Sequence, residues 1–225
     1  FTLSPTGANA ITGTGFGTLT LDGISFNVTT GAALSLTTGT LTTSNMGSLA
    51  ASGGTHAILL NGVAGALTTT GGALSGGTTA TVSIIGGSVD LTHPGNITQA
   101  GNLPLLSVSG GHTGDLVLNG TLNATSGTGL QFDNADGTYA FAGSVTMTGA
   151  DVGIDVVNGS GGTVTFSGTA KSITNSGTGA GVAVAASTSA LSFTNGGLAI
   201  TTGAGAGFSA SGGPTIVVTG SNNTI

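Results

Sequence analysis

The sequence predicts an all-β fold: a right-handed parallel β-helix, or β-solenoid, with three strands per coil and about nine coils of roughly 24–28 residues. Three observations support this prediction. Apolar pairs recur at a nearly constant interval, the two members of a pair enclose one residue as in a β-strand, and glycine-rich segments separate the pairs. A period of roughly 20 to 50 residues indicates repeats that stack on their neighbours.

The first series of pairs is the most regular. The first members of its first six pairs are evenly spaced along the chain, and the interval then lengthens. Both members of each pair are expected to point into the coil, with an outward residue between them. The pairs are Leu34/Leu36, Ile58/Leu60, Val82/Ile84, Leu106/Val108, Leu130/Phe132, Ile154/Val156, Val182/Val184 and Phe208/Ala210.

Two further series predict the other two strands of each coil. Because a crossover between parallel strands is almost always right-handed, the coil is expected to be right-handed. The second series is Gly65/Leu67, Val89/Leu91, Leu116/Leu118, Tyr139/Phe141, Val164/Phe166, Leu191/Phe193 and Ile216/Val218. The third series, of single inward residues, is Ile24, Leu49, Leu74, Ile97, Leu122, Met147, Ile173, Ile200 and Ile225.

Glycine is concentrated between the strands. It supplies 45 of 225 residues, and glycine pairs such as Gly71-Gly72 and Gly86-Gly87 fall where the chain must turn a corner. Disorder does not fit, because 38% of the residues are hydrophobic and the mean hydropathy is +0.45. Leucine-rich repeats, propeller blades and helical repeats are disfavoured by the missing leucine frame, the short period and the low helix propensity.

Length and charge limit the possible partners. The whole chain, 1–225, is predicted to be a single β-solenoid domain. Lys171 is the one basic residue against seven aspartates, which argues against binding to nucleic acid or to an anionic membrane surface. No run of apolar residues is long enough for membrane insertion, and cysteine is absent.

The chain resembles a known group of bacterial proteins. Its uncharged Gly/Thr/Ser/Asn surface, and segments such as 143–149 (GSVTMTG) and 162–168 (GTVTFSG), are similar to the β-helical passenger regions of autotransporters and filamentous-haemagglutinin-like exoproteins. The resemblance covers essentially the whole chain. It implies secretion to the cell surface and a role as a stalk, an adhesive rod or a fibre, and it assigns no functional residue.

The charged residues do not predict an enzyme. Polysaccharide-cleaving sites are built from carboxylates, often beside an arginine or lysine that stabilises developing charge. Arginine is absent here, Lys171 has no carboxylate nearby in the sequence, and Asp22, Asp90 and Asp115 are scattered over different coils. No catalytic residue and no cofactor is therefore expected.

One acidic loop is a candidate metal site. Asp133 and Asp136, in the segment 133–137 (DNADG), could present oxygen atoms to Ca²⁺, but the same residues make a good corner. Asp155 is expected to stack over Gln131 rather than over Asp133, which argues against a cluster. The histidines His56, His93 and His112 fall at different phases of the coil, so no metal site is assigned.

Outward threonines on the third face raise the alternative of an ice-binding ladder. Ice-binding solenoids resemble this chain in bearing regular threonine rows. Thr follows the inward residue at four places, but the row contains Asn123 and Ser75, and Thr is common on exposed strands in any case. The four threonines are Thr98, Thr148, Thr174 and Thr201.

The predicted function is mechanical: an extracellular structural β-helix, a rod or filament-forming subunit of a bacterial surface fibre. Copies are expected to associate head to tail through open coil ends, because Ile225 falls in step with Ile200 and Phe1 precedes Phe26 by one coil. The alternative is an adhesin-type or ice-binding module that uses a flat strand face to hold a glycan or another surface ligand.

Overall fold

The structure is an all-β solenoid. The computed structural model describes the backbone of residues 2–225 and the side chains of residues 4–225, and that part of the chain contains no helix. Each strand pairs in parallel with strands of adjacent coils, as at both ends and in the middle of the chain. The predicted parallel β-helix of about nine turns is confirmed. Its right-handed sense stays a prediction.

The strands are short except in two coils. The first eight are β1 Thr2–Leu3, β2 Ile11–Thr14, β3 Thr18–Leu19, β4 Ser25–Thr29, β5 Leu34–Asn45, β6 Leu49–Ser52, β7 Ile58–Thr68 and β8 Leu74–Ser75. The next nine are β9 Val82–Ile85, β10 Ser88–His93, β11 Ile97–Gln99, β12 Leu106–His112, β13 Asp115–Leu118, β14 Leu122–Ala124, β15 Leu130–Ala135, β16 Thr138–Phe141 and β17 Val145–Gly149. The last eight are β18 Ile154–Val157, β19 Thr163–Phe166, β20 Lys171–Asn175, β21 Val182–Val184, β22 Ala190–Phe193, β23 Leu198–Thr202, β24 Phe208–Ala210 and β25 Thr215–Val218.

These strands form three faces. The third face is a nine-stranded sheet, in the order β1-β4-β6-β8-β11-β14-β17-β20-β23. The first face runs from β2 through β9, β12, β15, β18 and β21 to β24, and the second from β3 through β10, β13, β16, β19 and β22 to β25. The long strands β5 and β7 contribute to both of these faces, so that the first and second faces make one 16-stranded sheet.

The first series of apolar pairs is confirmed. Leu106 pairs with Val82 on one side and with Leu130 on the other, and the same register continues from Leu34 to Val182. Val108 and its stacked neighbours are fully buried, whereas the intervening Ser107 is partly exposed. Phe208 and Ala210, in the final coil, are more exposed than the pairs that precede them.

The second series is correct in its inward residues but wrong in one step. Leu91 pairs with Leu116, not with Leu118, and His93 is the residue opposite Leu118. The predicted series is therefore displaced by two residues between the β10 and β13 strands. Because alternate residues of a strand face the same side, a displacement of two preserves the inward pattern and hides the error.

The third series contains the same error at three steps. Leu49 pairs with Phe26 rather than Ile24, Leu74 with Ala51 rather than Leu49, and Met147 with Ala124 rather than Leu122. At the start of the chain, Leu3 is the partner of Phe26, so the predicted match of Phe1 with Phe26 is wrong. Phe1 itself lies outside the described residues.

Variation in coil length explains these displacements. The paired residues lie 22 positions apart at the shortest coil, from Thr18 to Thr40, and 28 apart at the longest, from Ile154 to Val182. The predicted range of coil lengths is therefore too narrow at its lower end. Corners absorb the variation, because connections between strands tolerate insertions far better than the strands do.

Aromatic rings fill the interior of the later coils. Phe141 stacks on Phe166 with ring centroids 4.9 Å apart, and Phe166 on Phe193 at 5.0 Å. Phe132 and Tyr139 extend the column, their centroids lying 5.2 Å apart. These rings are essentially fully buried, and such offset stacks contribute beyond the area that they bury.

One inward glycine of the earlier coils has a clear steric reason. Gly65 occupies an inward position of β7, opposite Val89, where the sequence series is only half apolar. Its φ is +96°, and a Cβ added there would lie 1.7 Å from the Leu41 carbonyl oxygen. The two coils approach so closely at this point that glycine alone fits.

Candidate functional site

The chemically reactive side chains fall in three places: inside the coil, at the corners and on the outward faces. His93 is the clearest interior case, since it is 0% exposed and stands between Thr69 and Leu118. Its Nδ1 lies 2.8 Å from Thr69 Oγ1, and Nε2 has no hydrogen-bond partner in the described part of the chain. Burial lowers the pKa of His93 to about 4, so the ring is neutral at neutral pH.

His112 belongs to a different interior contact. Its Nε2 is 3.0 Å from the Val89 carbonyl oxygen, and Nδ1 is 3.3 Å from the hydroxyl of Tyr139. That hydroxyl donates to the His112 carbonyl oxygen and accepts the Gly137 N–H, and burial raises the pKa of Tyr139 to about 12. His56 is only partly buried and lies on another coil, so the structure does not bring the three histidines together.

Lys171, the one basic residue, is inside the coil. It occupies an inward position between Val145 and Leu198 and is 2% exposed. Its Nζ donates hydrogen bonds to three backbone carbonyl oxygens: that of Gly168, that of Thr194 at 2.9 Å and that of Gly196 at 2.7 Å. Burial lowers the pKa of this ammonium. Lys171 therefore holds a corner together and faces no ligand.

Two buried amides hold corners in the same way. Gln99 donates to the carbonyl oxygens of Gly76 and Gly77, and its Oε1 accepts the Gly101 N–H. Asn175 donates to the carbonyl oxygens of Asp151, Gly179 and Ala180, and its Oδ1 accepts the Gly177 N–H. These bonds fix the loops that lead from the third face to the first.

The sequence contains a signal for these interior polar residues that its apolar pattern obscures. Four of them, His93, Gln99, Lys171 and Asn175, each lie two positions from a predicted inward residue and are therefore on the same side of the strand. His93 follows Leu91, Gln99 follows Ile97, and Lys171 and Asn175 flank Ile173. The alternation of inward and outward residues along each strand would by itself have placed all four inside.

Three of the aspartates connect coils through the backbone. Asp22 Oδ1 accepts the Asn45 N–H at 2.8 Å, Asp90 Oδ1 accepts the Asp115 N–H at 2.8 Å, and Asp136 Oδ1 accepts the Gly161 N–H at 2.9 Å. Each bond joins positions 23 to 25 apart, one coil to the next. Carboxylates that are scattered in the sequence thus share a structural role, since each joins its own coil to the next.

The candidate calcium loop behaves as a corner. Asn134 has a φ of +53°, Ala135 turns inward, and Asp136 is bonded to the following coil, while Asp133 stays exposed on the first face. Within residues 2–225 no group of three or more potential metal-ligating side chains comes together. The expected stacking of Asp155 over Gln131 is confirmed by their pairing.

One shallow cleft lies at the edge of the first face. It has a volume of about 370 Å³, and Gln131, Asp151, Asp155 and Thr178 are among its lining residues. The amide of Gln131 donates to the Thr128 carbonyl oxygen at 2.9 Å. Burial raises the pKa of the Asp155 carboxyl, and the charge of Asp133 raises it further. This cleft collects carboxylates without any cation, aromatic ring or metal-ligating cluster beside them.

The third face carries a column of outward residues in continuous register, all polar except Ala199, which the sequence pattern alone does not reveal. Thr98 pairs with Ser75 and Asn123, and Asn123 pairs with Thr146 rather than with Thr148. The predicted row therefore merges two separate rows. We call the true row the hydroxyl column; its ten members are Thr6, Thr29, Ser52, Ser75, Thr98, Asn123, Thr146, Ser172, Ala199 and Thr224.

A second row runs beside it in the later coils. Thr148 pairs with Thr174, and Thr174 with Thr201. Thr125 continues the row, because the preceding Ala124 pairs with Met147. We call these four residues the threonine column. Each lies two positions after a member of the hydroxyl column, so both columns point outward from the same sheet.

Comparisons with family models, with curated proteins and with solved structures found no match for this chain. The described residues also include no helix long and apolar enough to cross a membrane.

Proposed function

We propose that this chain is a structural, non-enzymatic β-helix that serves as a rigid rod in an extracellular bacterial fibre. The observation that carries the proposal is the continuity of its interior. A chain of aromatic contacts connects His112 to Phe208 through successive coils, with each ring centroid 4.9 to 6.2 Å from the next. Every coil of this region is thereby packed against its neighbours.

The polar groups support the same function. Six polar side chains bond to backbone atoms at corners or strand ends, and most of these bonds reach an adjacent coil; they belong to Lys171, Gln99, Asn175, Asp22, Asp90 and Asp136. Lys171 and three of the seven aspartates thus join one coil to the next. A solenoid built in this way resists extension, because each coil must be peeled from a fully bonded neighbour.

Head-to-tail association stays part of this proposal as a prediction. Heterologous contacts between coil edges generate open filaments, and exposed strand edges recruit further strands. Within the described chain, Thr224 pairs with Ala199, so Ile225 is in step with Ile200 as predicted, and its side chain is 69% exposed.

Electron microscopy together with light scattering of the purified chain tests the rod. Nine stacked strands at about 4.8 Å spacing span about 40 Å, and we expect particles of that length or linear multiples of it. The matched variants are Val217→Asp, in the final coil, and Ser107→Asp, on an outward site of a central coil. Val217→Asp should shorten the particles, and Ser107→Asp should not. Particles that stay single and bind or cleave a polysaccharide would contradict the proposal.

A second candidate function is a binding module that uses one strand face. The hydroxyl column favours it, since eight of its ten members carry a hydroxyl group and they lie in unbroken register over the whole third face. An adhesin or an ice-binding protein would use such a face, and the rod function does not require it.

A further inference from the structure

The third face differs from the other two in its charge. Asp90 and Asp115 lie on the second face, and Asp133 and Asp155 on the first. The strands of the third face contain a single charged residue, Lys171, which points inward. The outward surface of that sheet is therefore uncharged from β1 to β23, in a protein whose net charge is −6.

The hydroxyl groups of this face are also free to bond outward. Elsewhere many hydroxyls are used within the chain: Ser160, Ser187 and Thr81 all donate to backbone carbonyl oxygens. In contrast, no side chain of the hydroxyl column or the threonine column donates a hydrogen bond to the described part of the chain. The polar side chains among them can therefore donate hydrogen bonds to whatever molecule covers the face.

The two columns together form a regular two-dimensional array. Successive coils repeat at about 4.8 Å, and positions i and i+2 of a strand lie about 6.6 Å apart. In the coils from Thr146 to Thr201, both columns are present side by side. The register of this sheet contains no bulge between β1 and β23, whereas the 16-stranded sheet is shifted at two places. Regular spacing is therefore maintained over many coils.

A repeating array of this kind fits a repeating solid better than a single soluble molecule. Small-molecule sites are concave and depend on a few convergent polar groups with apolar and aromatic walls. The third-face strands contain one aromatic residue, Phe26, and it is 1% exposed, so no ring is available for stacking on a sugar. The cleft beside Asp155 lies on the first face and is separate from this array.

We propose that the third face binds ice, with the hydroxyl column and the threonine column as its contact surface. Oxygen atoms in hexagonal ice repeat at separations close to both spacings of the array. Each threonine presents a hydroxyl group that bonds water and a methyl group that excludes disordered water from the contact. The inference rests on the second proposed function, a binding face, and does not depend on the rod or on its association.

The test measures thermal hysteresis, the gap between the melting and freezing points of a solution in contact with an ice crystal. The wild-type chain should produce a gap that grows with protein concentration. Thr174→Tyr, on β20, should abolish most of it by lifting the ice surface away from the array. The matched control is Thr165→Tyr on β19, an outward threonine of the second face with similar partial burial, and it should retain the gap.

Ala199→Thr supplies the opposite change. It adds a hydroxyl group to the hydroxyl column beside Thr201 without altering the interior, and should widen the gap. Circular dichroism and melting temperature of all variants confirm that the fold is retained, so loss of hysteresis is not loss of structure.

Three results would overturn the ice assignment. The first is a wild type without hysteresis, and the second is an equal loss of hysteresis in Thr165→Tyr and Thr174→Tyr. The third is a wild type that lacks hysteresis but pellets with crystalline cellulose or chitin, when Thr174→Tyr abolishes that pelleting. The third result would keep the binding face and change its occupant. A chain without hysteresis that still forms rods leaves the first proposed function intact, so the failures of the two proposals are distinguishable.

Discussion

The coils before Ile97 and the coils after it fill the same solenoid in two ways. In the earlier coils paired residues lie 22 to 24 positions apart, the core is mainly aliphatic although it includes Phe26, and Gly65 permits close contact. In the later coils the separation ranges from 23 to 28, and a column of stacked rings fills the interior. Interiors are packed to a uniform density, and the two regions reach that density with different inward side chains.

The two regions also differ in their corners. The long strands β5 and β7, of 12 and 11 residues, pass from the first face to the second without a break. After them each face has its own strand, and buried serines close the corner between the first and second faces: Ser160 Oγ donates to the Val157 carbonyl oxygen, and Ser187 Oγ to that of Ser160. At this corner, backbone continuity stabilises the early coils, and side-chain hydrogen bonds stabilise the later ones.

The largest expected effect is from a charge placed where the two regions meet. Val108→Asp would bury an unpaired carboxylate among Ile84 and Phe132, which lie opposite it in adjacent coils. We expect a loss of more than about 4 kcal/mol in the free energy of unfolding, measured by chemical denaturation. Ser107→Asp, one residue away and outward, should cost little. Equal losses in the two variants would mean that the strand phase is wrong.

Truncating one core residue in each region compares the two packings. Phe166→Ala removes the ring between Phe141 and Phe193 and should cost about 3–5 kcal/mol. Leu60→Ala, in the aliphatic region, should cost about 2–4 kcal/mol because less volume is lost. Thermal and denaturant unfolding of both variants provide the comparison. A larger cost for Leu60→Ala would show that the aromatic column is not the tighter packing.

The next effect depends on pH and belongs to the earlier region. The pKa of His93 is about 4 in the folded chain, against 6.5 for a free histidine, so the unfolded state binds more protons between these values. Stability should therefore fall as the pH drops from about 6.5 to 4, by up to about 3 kcal/mol from this residue. His93→Leu should remove the part of the pH dependence of stability that comes from His93, whereas any part that comes from the buried His112 should remain. An unchanged pH profile in His93→Leu would argue against the buried neutral ring.

The smallest expected effect is from a late corner. Lys171→Met keeps the apolar stem and deprives three carbonyl oxygens of their donor, at a cost of about 1–3 kcal/mol. Any hysteresis or filament formation should be unchanged, because Nζ faces no solvent-exposed surface. A variant that melts like the wild type but loses binding would give Lys171 a functional role that its position does not explain.

The alternation of inward and outward residues along each strand explains how much of this structure the sequence could predict. Alternation of apolar residues placed Val108 inward and Ser107 outward, and the fold class followed from the repeat. It could not reveal which residues stack, because a displacement of two positions leaves the alternation unchanged. That is why Thr98 and Thr148 seemed to share one row, and why the hydroxyl column became visible only through pairing in space.

Candidate sites were harder to predict for a related reason. Asp22 and Asp136 are far apart in the sequence, and only the closing of each corner on the next coil gives them the same partner, a backbone N–H. Apolar patterning likewise gives no weight to a lysine at an inward position. The enclosure of Lys171 depends on carbonyl groups from two coils, which a single strand does not disclose.

The register of the third face is the central claim, and cysteine cross-linking measures it directly. The chain has no cysteine, so introduced pairs form without competition. Asn123→Cys with Thr146→Cys joins positions that are opposite in the structure, and mild oxidation should form a disulfide in the native protein. Asn123→Cys with Thr148→Cys tests the register displaced by two, in which the Cα atoms of this structure would be about 8 Å apart and beyond disulfide reach. Efficient cross-linking of the second pair, and not of the first, would contradict the hydroxyl column.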